Sequence, residues 1–250
     1  MKVCVVVFSI GEEFTKSFNE TFYPSIVKYT AKYGYDLKVF HDFLDAKHRH
    51  LDCVSFQKCL VASTLPEYDL IMVIDADIWL TELAPPIHTI DFEGKIGVVD
   101  EVSQVSNEDY LVGLKGFATP PSEYYSLAGF SLNTNVILNG GVLMCQPALH
   151  ADFLRNLYWK YIENAIGHPR GLHYEQSCFG YEIQSHNMFK LLPREWDIIH
   201  PFFSILKREI PVGTFALHFC AYNNANRKKA LQAYLAAQAP KSLIRWGIRK

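Results

Sequence analysis

The chain has 250 residues, a formal net charge of −2 and a pI near 6.5. That length suits one large α/β domain or two small ones, and 49% hydrophobic against 20% charged residues excludes a disordered chain. The near-neutral charge gives no basic field for a nucleic-acid duplex, and no apolar run approaches the ~20 residues of a membrane helix.

Six scattered cysteines, Cys4, Cys53, Cys59, Cys145, Cys178 and Cys220, read as reduced thiols of a cytosol-like compartment. The spacing of His48, His50, Cys53 and Cys59 matches no standard zinc pattern. Met1-Lys2 leads into a short apolar stretch that ends at Gly11 and two glutamates. This suits a first strand rather than a secretory leader, so a cytoplasmic location is expected.

In chain order, Lys2–Phe8 reads as a buried parallel-type strand and Ser9-Ile10-Gly11 as the loop after it. A helix follows over Glu12–Phe22, its acidic start suited to the positive helix N-terminus. Pro24 opens a second helix to about Lys32, and Gly34 stops it. Tyr35–Phe40 is a second strand, Val54–Thr64 a helix and Asp69–Ile74 a third strand. The alternation is that of a nucleotide-binding α/β chain, yet G-x-G-x-x-G and G-x-x-x-x-G-K-[ST] are both absent.

The third strand is an uninterrupted apolar run, Leu70 to Ile74, that ends on Asp75-Ala76-Asp77. In extended chain, residues two apart point the same way, so both carboxylates project at a strand's C-terminal end, where open α/β sheets bind ligands. Two converging acids repel unless a cation separates them, and a hard divalent cation, Mg2+ or Mn2+, answers that need. The plainer reading of each aspartate is a helix cap or turn former.

Lys95–Val99 is a short strand. The irregular stretch 100–134 reads equally as a loop covering a ligand and as a surface excursion. In Thr134–Gln146 two apolar runs flank Asn139-Gly140-Gly141, which reads as a bulge that lets a ligand approach or as a hairpin turn. Pro147–Ile166 is a long amphipathic helix, and a further helix starts at Tyr174. Phe189–Leu192 is a short strand, Pro201–Pro211 loop, and Gly213–Phe219 a last strand ending near His218. Arg227, Lys228 and Lys229 open a final helix to about Ala237, a basic cluster suited to a diphosphate or to a solvated face. The tail 241–250 mixes basic and apolar residues, a composition suited to a membrane surface.

Asp75-Ala76-Asp77 after an apolar strand, Asn139-Gly140-Gly141-Val142 mid-chain, Glu175-Gln176 later and His218 on a late strand together resemble the GT-A fold glycosyltransferases. The look is of the glycogenin and galactosyltransferase group and of compact glycosyltransferase domains of large algal viruses. The resemblance implies a single domain with a mixed, Rossmann-like central sheet flanked by helices, a nucleotide-binding half over 1–100 and a sugar- and acceptor-binding half over 101–250.

It also implies roles. Asp75, Asp77 and His218 would hold Mn2+ or Mg2+. Phe8, Ser9 and Ile10 would border the nucleoside, with Asp75 and Ala76 beside the ribose. Lys58 would steady the acidic motif or the donor, and Arg227 and Lys228 the diphosphate. Asn139, Gly140 and Gly141 would line the sugar site, and Glu175 and Gln176 would face the reacting carbon, with Asp77 also part of the catalytic set. The first position of that last pair is commonly Asp in this group; here it is Glu. The implied partners are a nucleotide-sugar donor, a UDP-sugar by family habit, and a glycan or other hydroxyl acceptor, with transfer by retention. Two other classes stay open: a haloacid-dehalogenase-type phosphatase, which also carries D-x-D after an apolar strand, and a non-catalytic nucleotide-sugar binder.

Overall fold

The computed structural model describes residues 1–238. The elements run β1 (Val3–Phe8), α1 (Glu12–Thr21), α2 (Tyr23–Tyr33), β2 (Asp36–Phe40), α3 (Val61–Thr64), β3 (Leu70–Ile74), β4 (Ile78–Leu80), β5 (Ile96–Asp100) and α4 (Pro121–Tyr124). After these come β6 (Leu138–Cys145), α5 (Pro147–Tyr161), α6 (Tyr174–Ser185), β7 (Phe189–Leu191), β8 (Ile198–Ile199), α7 (His200–Ile205), β9 (Ala216–His218) and α8 (Asn224–Gln238).

Six strands form the main sheet in the order β2-β1-β3-β6-β5-β7. β1 runs parallel to β2 and β3, and β5 parallel to β7, whereas β6 is antiparallel to both of its neighbours. The central strands are apolar throughout because both faces are covered. Val3, Val5 and Val7 of β1 with Leu70, Met72 and Ile74 of β3 enter one core, shared with α1 and α2. Cys4, Val6, Ile71 and Val73 enter the other, shared with α5 and α6. The period-2 alternation of a strand thus feeds two cores from one segment. All six cysteines are free, and five are buried.

The structure corrects several expectations. Residues 55–60 wind as a 3-10 helix, and α-geometry is confined to Val61–Thr64. Here Phe56 to Leu60 are all buried, and the Gln57 side-chain oxygen accepts from the backbone N–H groups of Leu44 and Asp45, tying the turn to the preceding loop. Pro201 does not sit in a loop but in the first turn of α7, where its missing N–H costs nothing. The expected last strand shrinks to Ala216–His218. It pairs with β4 and β8 in a second sheet, order β4-β9-β8, whose strands of three, three and two residues are too short to leave a periodic signal.

Asn139-Gly140-Gly141 is not a hairpin turn. It lies inside β6, where the register against β5 slips between Val98 and Val99, so a bulge breaks the ladder. The irregular stretch 100–134 packs inward with Gln104, Tyr110, Tyr124 and Tyr125 buried. The basic tail 241–250 lies outside the described residues. No helix among the described residues is long and apolar enough to cross a membrane.

Candidate active site at the junction of the two sheets

Asp75, Ala76 and Asp77 fill the gap between β3 of the large sheet and β4 of the small one. They form a turn, with Ile78 N donating to Asp75 O at 3.1 Å, and not the extended chain expected. The chain must change sheets here, and the tight turn carries both carboxylates to one side. Ile78 pairs with His218 across the small sheet, which delivers the imidazole to the same place. One ligand atom from each of Asp75, Asp77 and His218 lies within 4.8 Å of the others. Two carboxylate oxygens and an imidazole nitrogen suit a hard or borderline divalent cation, and the spread is close to what ligand distances of ~2.1 Å impose.

Each of the three is held from behind. His218 Nδ1 bonds Asp197 Oδ1 at 3.0 Å, which leaves Nε2 facing Asp77 Oδ1 at 3.3 Å and Asp75 Oδ2 at 3.9 Å. Arg227, at the first turns of α8, places Nη2 2.9 Å from Asp77 Oδ2 and lies over the Phe14 ring. Lys58 Nζ is 3.3 Å from Asp75 Oδ1. Such outer partners fix ligand orientation and tautomer.

The electrostatics follow from burial against charge. Burial opposes the charged form of His218, but the neighbouring Cys220, Asp197 and Asp77 outweigh it and raise its pKa well above the ordinary value. Burial likewise opposes charge on Asp77, yet His218 and Arg227 hold its carboxyl below its ordinary value. For Asp75, burial wins over Lys58 and His218 and the pKa is raised. Its side chain is still 40% exposed, on the open side of the cluster. The carboxyls of Asp75, Asp77, Glu175 and Asp197 thus close around Lys58, Arg227 and the His218 ring.

The opposite wall is built on the β6 bulge. Lys58, 4% exposed in its side chain, donates to Gly140 O at 2.7 Å and lies 3.1 Å from Glu175 Oε1, an ion pair out of hydrogen-bond alignment. Burial would lower the Lys58 pKa, but Asp75 and Glu175 raise it and the ammonium stays charged. Burial pushes the Glu175 carboxyl up to about 7 despite that ammonium. Gln176 Oε1 accepts from Gly140 N at 3.0 Å, and Asn139 Oδ1 from Gly141 N at 2.7 Å. The glycines are required by contact: a Cβ at Gly141 would lie 2.6 Å from the His218 ring, and one at Gly140 3.0 Å from Glu175 Oε1.

Sequence-derived residues farther out fall into two groups. Ser9 is buried in the loop after β1, where its carbonyl accepts from Thr15 Oγ1 at 2.8 Å and faces His41 Nδ1 at 3.1 Å. Phe8 stacks on Phe40 at 5.3 Å, and Ile10 is half-buried beside them. Lys228, in contrast, turns away from the carboxylates and pairs with Glu20 at 3.1 Å on the surface. A surface groove of about 660 Å³ runs along α1 from His41 to Glu20, and no metal-ligand candidate lines it.

Three site residues escaped the sequence reading: Glu101, Tyr110 and Asp197. Glu101 had a signal, since Asp100-Glu101 ends an apolar strand as Asp75 does. Asp197 precedes only the apolar pair of β8, and Tyr110 lies in the single π-helical turn Asp109–Gly113.

No family model matches the sequence, and no curated protein does. Solved structures do. Over 93% of its length the chain is similar to all of a glycosyltransferase involved in glycosylation of the major capsid of PBCV-1, at TM-score 0.60 and 12% identity. Over 92% it is similar to 49% of the bifunctional glycosyltransferase WbbM, at 0.61 and 12%. Over 92% it is also similar to 95% of the galactosyltransferase LgtC, solved with donor and acceptor sugar analogues, at 0.54 and 10%. The fold is therefore the GT-A fold of these glycosyltransferases, a mixed α/β sheet flanked by helices.

Proposed function

We propose that this protein is a divalent-metal-dependent glycosyltransferase. It moves a hexose or related sugar from a nucleotide-diphosphate donor, a UDP-sugar, to a hydroxyl of a glycan or other acceptor, with retention. The observation that carries the reading is the convergence of Asp75, Asp77 and His218 at the sheet junction, opposite a buried Glu175 that titrates near neutrality. The GT-A neighbours support the same class.

In the transfer, the bond between the sugar carbon and the diphosphate oxygen breaks, the acceptor oxygen forms the new bond on the same face, and its proton passes to the departing diphosphate oxygen. Mn2+ or Mg2+ held by Asp75, Asp77 and His218 would supply charge stabilisation to the departing diphosphate. Arg227 adds a fixed guanidinium beside Asp77. Lys58 holds Glu175 and Asp75 apart while neutralising both. Glu175 carries a carboxylate to the sugar side, and Gln176, anchored on Gly140 N, lies next to it.

A calorimetric titration of UDP, GDP and their sugars, with and without Mn2+, tests the reading. Metal-dependent binding of one diphosphate is expected, with affinity lost about 100-fold or more in Asp77→Ala because a direct ligand is removed. Wild-type binding and turnover in Asp77→Ala would overturn the metal assignment. Tight donor binding with neither transfer nor hydrolysis would favour a binder over an enzyme.

A further inference from the structure

We propose that Glu101 is a positioning residue. Through one aligned chain of hydrogen bonds it fixes the Gly140–Gly141 peptide and, with it, the place of Lys58 between Asp75 and Glu175. The proposal rests on the reading of this pocket as the sugar-transfer site.

Glu101 follows directly on β5 and collects three donors. Its Oε1 accepts from Tyr110 Oη at 3.0 Å, and its Oε2 from Asn139 Nδ2 at 3.1 Å and Gln176 Nε2 at 3.3 Å. An ionised carboxylate only accepts, so both amides must turn their NH2 groups towards it. Their oxygens are then forced the other way, onto the N–H groups of Gly141 and Gly140. These are the groups that the β6 bulge leaves without strand partners, so the two amides do the work of the missing ladder.

One branch of this network runs from charge to charge. The Lys58 ammonium donates to Gly140 O, the N–H of that same peptide unit (Gly141) donates to Asn139 Oδ1, and Asn139 Nδ2 donates to Glu101. Every dipole points the same way, from the buried ammonium to the half-buried carboxylate, and aligned hydrogen bonds polarise one another. Reversing the Asn139 amide would set NH2 against N–H at Gly141 and free the peptide that anchors Lys58. Glu101 touches neither Lys58 nor Glu175 in this arrangement; it acts through the amide and the peptide.

The test compares wild type, Glu101→Gln, Asn139→Asp and the double variant. Glu101→Gln puts an NH2 where donors converge, and Asn139→Asp sets two carboxylates face to face. In the double variant the new amide at position 101 donates its NH2 to the new carboxylate at position 139. The other oxygen of that carboxylate still accepts from Gly141 N, so the Gly141 peptide keeps its acceptor and the net charge is unchanged, while the bond between positions 101 and 139 runs the other way.

A displacement of reacting groups is costly, so each single variant is expected to lower kcat about tenfold or more, with donor KM within about threefold. The double variant is expected to recover a large part of either single loss but not all of it, because the Gln176 NH2 still meets an NH2 at position 101. The same compensation is expected in denaturant midpoints, a readout that needs no turnover. Losses that simply multiply, in rate and in midpoint alike, would overturn the proposal. If a single variant does not fold, the comparison of the other with the double still decides. If the wild type neither binds nucleotide nor transfers sugar, the pocket reading fails, while midpoint coupling between positions 101 and 139 still tests the hydrogen-bond chain.

Discussion

On the wall that carries Asp75, Asp77 and His218, each functional atom is steadied by a charged partner: Lys58, Arg227 and Asp197. On the wall formed by the β6 bulge, the backbone of Gly140 and Gly141 is steadied by neutral amides, with charge only at the far ends of the network. The difference matches the tasks. A metal-ligand wall must keep acids ionised and aimed, and opposite charge does both. A wall that presents bare backbone must hold its donors and acceptors in a fixed sense, and amides do this without adding a field of their own. Lys58 belongs to both walls, so it is the residue whose loss confuses them.

The largest stability effect is expected from Lys58→Ala. Glu175 would stay buried without its counter-ion, and removing one partner of a buried pair costs about 3–5 kcal/mol. Chemical denaturation measures this, and a loss below about 1 kcal/mol would show that the two walls do not meet at Lys58. Next comes Asp197→Asn, which removes the charge behind His218 while keeping its shape. Metal affinity should fall about 10- to 100-fold, read by the paramagnetic signal of free Mn2+, with little change in nucleotide binding without metal.

Glu175 gives a pH test of the bulge wall. Its folded pKa is raised from 4.5 to about 7, so the folded protein holds this proton where the unfolded chain has lost it. Stability from this group therefore falls as pH rises from about 4.5 to about 7, and turnover that needs the carboxylate rises through the upper end of that window. In Glu175→Gln the limb near pH 7 should vanish from the rate profile; a limb that persists belongs to another group. The smallest effect is expected at Lys228→Ala, whose partner Glu20 is about as exposed as the lysine itself. Stability should change by less than about 0.5 kcal/mol and Mn2+ affinity not at all, in contrast to its neighbour Arg227.

The parts of this site that stand on regular elements were legible in the sequence. The apolar run Leu70–Ile74 placed Asp75 and Asp77 at a strand end, the paired glycines marked a break that read equally as a bulge or a hairpin turn, and alternation put His218 on a late strand. What escaped depends on distance in space rather than on period. Asp197 sits before a two-residue strand, too short for any pattern. Tyr110 lies in a π-helical turn of five residues, too short for a periodic signal. The 3-10 winding around Lys58 follows from Gln57 reaching across to the loop at Leu44 and Asp45, a contact that no local propensity encodes. Pro201 misled because the same residue that breaks a helix interior opens a helix at its first turn.

The Ile78–His218 pairing in the small sheet carries one more consequence. Two of the three metal-ligand candidates ride on adjacent strands of that sheet or at their ends, whereas Glu101, Asn139 and Gln176 belong to the large sheet and α6. The two sets therefore rest on different elements and meet at Lys58, which spans Asp75 on one side and Gly140 and Glu175 on the other, and at Gly141, whose missing Cβ leaves room for the His218 ring.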